Sequence, residues 1–249
     1  IGTLKTEQRI EKAYADTDLK AADAVMRLYR KEVLVSKIQK AFSAGLFGVE
    51  KNRVLVPTRY SITAVDDIIS KSILRSVKTF QPINEYRVYE LNEFDNRWSI
   101  LMIPSYWSYE LIEAWYPKTT WNPFGTQVSI FSDAEGFKGR SEYPEIGGCY
   151  FASRLAVSEA LESEKRQAAA VVMRESHPGY IMPLGVWLVR ESVRKALKTT
   201  PNKFADLKSA LEHVSSKFDI KIDMWIRNSA VLKNAMQQRT LGNFLGAKR

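Results

Sequence analysis

The chain is poor in the residues on which most recognisable chemistry is built, with one cysteine, Cys149, and two histidines, His177 and His213. A lone cysteine excludes an intramolecular disulfide and any cysteine-cluster metal site among these residues. It suits a reducing compartment, so the expected location is cytoplasmic. No apolar run approaches the roughly 18 residues of a membrane span, and no charged-then-apolar leader opens the chain, so no membrane partner is expected. Of the imidazoles, His177 sits in a His-Pro-Gly turn and His213 follows Glu212 on a helical pattern, which gives a Ser-His-Asp reading little to work with. There is no Walker-type loop, no GxGxxG after a strand and no HExxH. Nothing repeats internally.

What is present is a globular composition: 249 residues, 45% hydrophobic and 26% charged. That is enough for one large core or two small ones. The net charge of +9 is unevenly placed. Residues 190–249 hold thirteen Lys and Arg against five Asp and Glu, so residues 1–189 carry only about +1. Such a basic C-terminal part is either an ordinary solvated face or a footprint for nucleic acid, whose binding rests on phosphate neutralisation.

The chain is organised around the stretch 54–70. Val54, Leu55 and Val56 form a short aliphatic run that predicts a strand, ended by Pro57. Ser61 or Thr63 can then cap a helix whose apolar positions are Ile62, Val65, Ile69 and Ile73, with Asp66 and Asp67 in its first turns. Two readings stand for the corner at 59–67. In one, Arg59 ties loop to core and the aspartates cap and solvate the helix. In the other, the free N–H groups of the helix start join Arg59 and the hydroxyls in an anion site. Arg59, Ser61, Asp66 and Asp67 are therefore the catalytic candidates.

Along the chain, the apolar spacing predicts helices at about 18–31 and 35–42, and a hairpin of two strands at 85–94 and 97–104 turning at Asp95 and Asn96. The segment 105–150 is aromatic, with Trp107, Trp115, Trp121, Phe124, Phe131 and Phe137 broken by prolines; most are expected in the core and a minority exposed for base stacking. A strand is expected at 127–133, a long helix at 150–175 and a helix at 186–197, then a helix at 204–218 and a strand at 221–226. On 186–197, Arg190, Arg194 and Lys198 align at four-residue steps and are the DNA-phosphate candidates. The fold class is mixed α+β, several strands packed with long helices, a helix-rich C-terminal half and a flexible tail. One globular core over 1–236 is expected, with a sub-boundary near 147–150, followed by the tail 237–249.

The string VPTRYSITAVDD at 56–67 resembles the signature of the archaeal Nre family, proteins associated with DNA repair. The likeness continues in order through DTDLKAADAVMRLY, INEYRVYE, GGCYFASRLAVSEALESEKRQAAAVVMRE and PLGVWLVRESVRKAL, and so spans nearly the whole chain. Members of that family usually carry an N-terminal four-cysteine, zinc-finger-like cluster, which nothing here matches. The expectation is that such a portion, the place for a zinc site, precedes Ile1, and that this chain itself holds no cofactor.

In the tail, Gln238, Leu241, Phe244 and Leu245 take the spacing Q-x-x-L-x-x-F-L. This looks like the motif by which repair and replication proteins dock on the sliding clamp PCNA, and the Nre resemblance implies one. The alternative is a last amphipathic turn on the protein's own core. In a 3₁₀ turn residues three apart eclipse, so Leu241 and Phe244 would share a face while the Gln238 amide hydrogen-bonds beside the pocket. The expected function is therefore a repair factor that binds DNA and is delivered by the clamp. The alternative is an enzyme acting on damaged DNA or a nucleotide, nuclease- or hydrolase-like, at the 59–67 corner.

Overall fold

A computed structural model describes residues 7–182 and 184–237. The chain divides into two compact units, Ile1–Arg75 and Ser76–Arg249. Residues on both sides of 147–150 enter one sheet, so a cut at that point would sever its central ladders.

The first unit is helical: α1 (Gln8–Ala15), α2 (Ala21–Arg30), α3 (Val35–Ser43) and α4 (Thr58–Val77) up to Arg75, with a 3₁₀ turn at Glu50–Asn52. Val25 and Leu28 of α2, Ile38 of α3, and Val65, Ile69 and Ile73 of α4 are buried, as their three- and four-residue spacing requires. Gly45 turns the chain out of α3 at a φ of +71°, and a Cβ there would lie 2.7 Å from the Val54 carbonyl oxygen. Only glycine fits that close approach. The expected strand at 54–56 is absent. Val54 and Leu55 are exposed, and Val56 is held instead by its N–H to the Ser43 carbonyl at 3.0 Å and its carbonyl to Ser43 Oγ at 2.7 Å.

The second unit is a six-stranded mixed sheet in the order β4-β3-β5-β2-β1-β6. Its strands are β1 (Tyr86–Glu93), β2 (Asn96–Ile103), β3 (Ser108–Trp115), β4 (Ser129–Glu135), β5 (Ala169–Ser176) and β6 (Asn202–Phe204). The hairpin β1-β2 forms as expected, one residue earlier: its turn is Phe94 and Asp95, at φ 53° and 54°, with Glu93 facing Asn96. Two left-handed residues give the twist a two-residue hairpin needs.

The largest difference lies at 150–175. Helix α5 spans Gly148–Glu164 and ends on Lys165, a left-handed residue at φ 53°. The chain then enters β5, which pairs antiparallel with β2 and parallel with β3. All eight residues of β5 are buried, so its continuous apolar run was the mark of a central strand.

Beyond it come α6 (Gly185–Leu197), α7 (Leu207–Ser215), α8 (Ile222–Asn228) and α9 (Ala230–Gln237). Residues 221–226, expected as a strand, are thus mostly in α8. Helices α5 and α6 cover one face of the sheet and α7 to α9 the other. On the latter face Val88, Leu101, Ile112, Val171 and Met173 pack against Leu211, Val214, Trp225 and Leu232. No helix among the described residues is long and apolar enough to cross a membrane.

Candidate nucleic-acid interface

The residues of the 59–67 corner do not converge. Helix α4 begins at Thr58, directly after Pro57, whose carbonyl accepts from the N–H groups of Tyr60 and Ser61. Ser61 and Thr63 therefore lie inside the first turns. Their hydroxyls donate back to the carbonyls of Thr58 at 2.9 Å and Arg59 at 3.0 Å instead of facing an anion. The exposed Arg59 bonds the Tyr60 hydroxyl at 2.8 Å and lies over that ring. Asp66 and Asp67 are two turns into the helix, beyond the reach of its N-terminal dipole. Being adjacent, they face apart. Asp66 is fully buried and accepts from Gln39 Nε2 of α3 at 2.9 Å, while Asp67 pairs with Lys71 at 2.8 Å on the surface.

Asp67 instead borders a different feature, a cleft of about 570 Å³ between α2 and α4, wholly within the first unit. Arg27, Arg30 and Lys31 reach it from the end of α2, Lys71 and Arg75 from α4, against the acids Asp23 and Asp67. Two cation ladders on neighbouring helices thus meet. Arg27 lies 3.5 Å from Asp16 and Lys71 is held by Asp67, whereas Arg30, Lys31 and Arg75 have no ion-pair partner among the described residues. All five cations are exposed. Exposed arginine forks with no carboxylate of their own are the groups best suited to phosphate oxygens.

The row Arg190, Arg194 and Lys198 on α6 is not an open cationic face. Arg190 is only 2% exposed, with Nε 3.4 Å from Glu191. Arg194 grips Glu159 of α5 with two bonds, of 2.8 and 2.7 Å, and also bonds Glu191 at 3.0 Å. These cations fasten α6 to α5 and to its own surface. Of the three, Lys198 alone is exposed. Spacing along one helix had placed them together, but the acids that occupy them come partly from another helix.

The aromatic segment also departs from expectation. Trp107 and Trp115 are buried, but Trp121, Phe124, Phe131 and Phe137 are exposed, Phe124 to 96%. The buried members serve an ionic interior. Glu135 accepts from Trp107 Nε1 at 3.0 Å, Tyr150 at 2.9 Å and Arg154 at 2.8 Å. Arg174 donates to Glu113 and Asn96, both at 2.8 Å, among the rings of Trp98, Trp115 and Tyr180. Cys149 borders this interior, and burial pushes its thiol up, away from the thiolate a nucleophile needs. His213 Nε2 lies 3.1 Å from Glu90 Oε1 on the α7 side of the sheet. Glu175, His177 and Asp219 come together at the end of β5, the only such group of possible metal ligands among the described residues.

Gln238, Leu241, Phe244 and Leu245 lie outside the described residues. The cleft cations were missed in the sequence, although Arg27, Arg30 and Lys31, and Lys71 and Arg75, each keep helical spacing. What no spacing reveals is that the two ladders share a cleft.

Comparison with known proteins adds the relationship. The description "Archaeal Nre, N-terminal" matches residues 1–122 and "Archaeal Nre, C-terminal" matches residues 135–244. The DNA repair protein NreB of Archaeoglobus fulgidus is 47% identical over 236 residues, covering 95% of this chain and 59% of that protein. The DNA repair protein NreA of the same organism is 37% identical over 217 residues, covering 87% and 55%. NreA of Haloferax volcanii is 38% identical over 191 residues, covering 76% and 46%. The chain thus spans about half the length of these relatives. No solved structure matches it significantly. With both halves of the family described in order over nearly all of its length, the chain belongs to the archaeal Nre family.

Proposed function

We propose that this chain serves DNA repair by gripping the DNA backbone in the α2-α4 cleft and by docking its tail on the sliding clamp PCNA. The repair role follows from kinship with proteins named for it. The observation that carries the DNA contact is the cleft itself, where five cations face two acids and three of the five keep no carboxylate among the described residues. Phosphate neutralisation at such a site gives affinity without sequence preference, as suits a protein that must act wherever damage falls.

The clamp contact rests on Gln238, Leu241, Phe244 and Leu245 and on the family resemblance. A peptide and a backbone-binding cleft on one chain act bivalently when the clamp encircles the same DNA. The second of the two then binds at raised local concentration. The experiment is binding of labelled duplex and single-stranded DNA to the full chain over a salt series. Affinity that falls steeply with salt supports the reading. No binding at low salt would remove it.

A further inference from the structure

We infer that Glu175, His177 and Asp219 form a binding site for a divalent transition-metal ion at the end of β5 in the second unit. Each offers one ligand atom, and the three atoms lie within 4.8 Å of one another. The donors come from separate places. Glu175 is the penultimate residue of β5, His177 follows that strand by one residue, and Asp219 lies in the connection between α7 and α8. Sheet geometry, not sequence proximity, joins the third to the first two.

The surroundings are those of ligands held in place. Glu175 is fully buried, and its oxygens accept from the backbone N–H groups of Ile220 at 2.8 Å and Asp219 at 3.2 Å. Those bonds fix the carboxylate and leave lone pairs for an ion, since each carboxylate oxygen can accept twice. The His177 Nε2 sits 3.4 Å from Glu175 Oε2, and its ring is stacked on Tyr116, with centroids 4.4 Å apart and planes at 21°. The ring plane is thereby set. Arg97 bonds Asp219 Oδ1 at 2.6 Å, which orients that exposed side chain by one oxygen and leaves Oδ2 to turn inward. An ion bound at ~2.1 Å needs its ligand atoms roughly 3–4 Å apart, somewhat closer than the 4.8 Å within which these three lie.

The donor set selects the ion. One imidazole with two carboxylates is poorly suited to magnesium or calcium, which take oxygen, and well suited to zinc and its first-row neighbours. Three protein ligands leave at least one coordination position open, as in sites that present a water or a substrate oxygen.

The chain has two histidines, so imidazole ¹⁵N NMR of the full chain, stripped with chelator and titrated with Zn²⁺, reads the site directly. The expected result is saturation at one equivalent, with the His177 signals shifted and those of His213 unmoved. Asp219→Asn and Glu175→Gln, which keep volume but replace one carboxylate oxygen by an NH2 donor, should each weaken uptake tenfold or more, with circular dichroism confirming the fold. The inference is overturned if His177 does not respond, if His213 responds equally, or if folded Asp219→Asn and Glu175→Gln proteins take up zinc as the parent does.

Discussion

Arg174 of β5 donates its Nη1 to Glu113 Oε1 across the parallel β3-β5 pair at 2.8 Å, with both side chains buried beneath α5 and α6. The guanidinium sits 4.7 Å from the ring centre of Trp115 and 5.0 Å from that of Trp98. Removing one partner strands the other charge in a dry interior. Arg174→Met should therefore cost about 3–5 kcal/mol, and adding Glu113→Gln should recover part of that loss. Urea denaturation of the two variants checks it; a loss under about 1 kcal/mol for Arg174→Met would mean that water reaches the pair.

Arg194 tests whether the α6 cations hold helices together. Arg194→Glu breaks the two-pronged bond to Glu159 and sets three carboxylates side by side on α5 and α6. The expected loss is about 2 kcal/mol, read as a lower thermal midpoint, while a charge reversal on an open face would cost within about 0.5 kcal/mol.

Glu110 gives a pH dependence with a definite sign. Its carboxylate takes the Ser229 hydroxyl and the N–H groups of Ala230 and Val231 at the start of α9, yet burial outweighs those bonds and raises its pKa. A carboxyl with a raised folded pKa binds its proton more tightly in the native state. Stability from this group is therefore fully present below the unfolded value of about 4.3 and is lost as pH rises through the folded value. The stability difference between the parent and Glu110→Gln should shift against the parent as pH rises from below about 4 into the neutral range. A flat difference would place Glu110 at its ordinary pKa.

The tail is tested apart from the fold. Calorimetry of PCNA with the 237–249 peptide should give binding that Phe244→Ala weakens by about 2 kcal/mol or more, since buried aromatic anchors dominate such interfaces. No binding by the parent peptide, or equal binding by both, would rule out the clamp as the partner of this tail.

Features set by neighbouring residues were legible in the sequence. The β1-β2 hairpin follows from alternation and a turn pair, and the apolar stripe of α6 from Val189 and Val193 at a four-residue step. What failed depended on distant partners. Residues 168–173 are apolar without a period, so they extend the preceding helix as readily as they start a strand, and only pairing to β2 and β3 decides. The aromatics of 121–137 look like core by type, but they fall beside or on the edge strand β4, where part of the surface stays open. Arg190 and Arg194 keep the spacing of a binding face, but Glu159, thirty-five residues away, occupies one of them. The α2-α4 cleft was hidden for the same reason.

A DNA contact made by the cleft rather than by α6 can be tested without disturbing the fold. Arg30 and Arg75 are exposed and without ion-pair partners among the described residues, so Arg30→Glu with Arg75→Glu should leave the thermal midpoint near that of the parent. The direct measurement is duplex affinity of the full-length parent and this double variant across a salt series. The variant should bind at least tenfold more weakly, with a log-log salt slope shallower by about two units, one for each phosphate no longer neutralised. Equal affinity and equal slope in a folded double variant would contradict a DNA-binding role for the cleft.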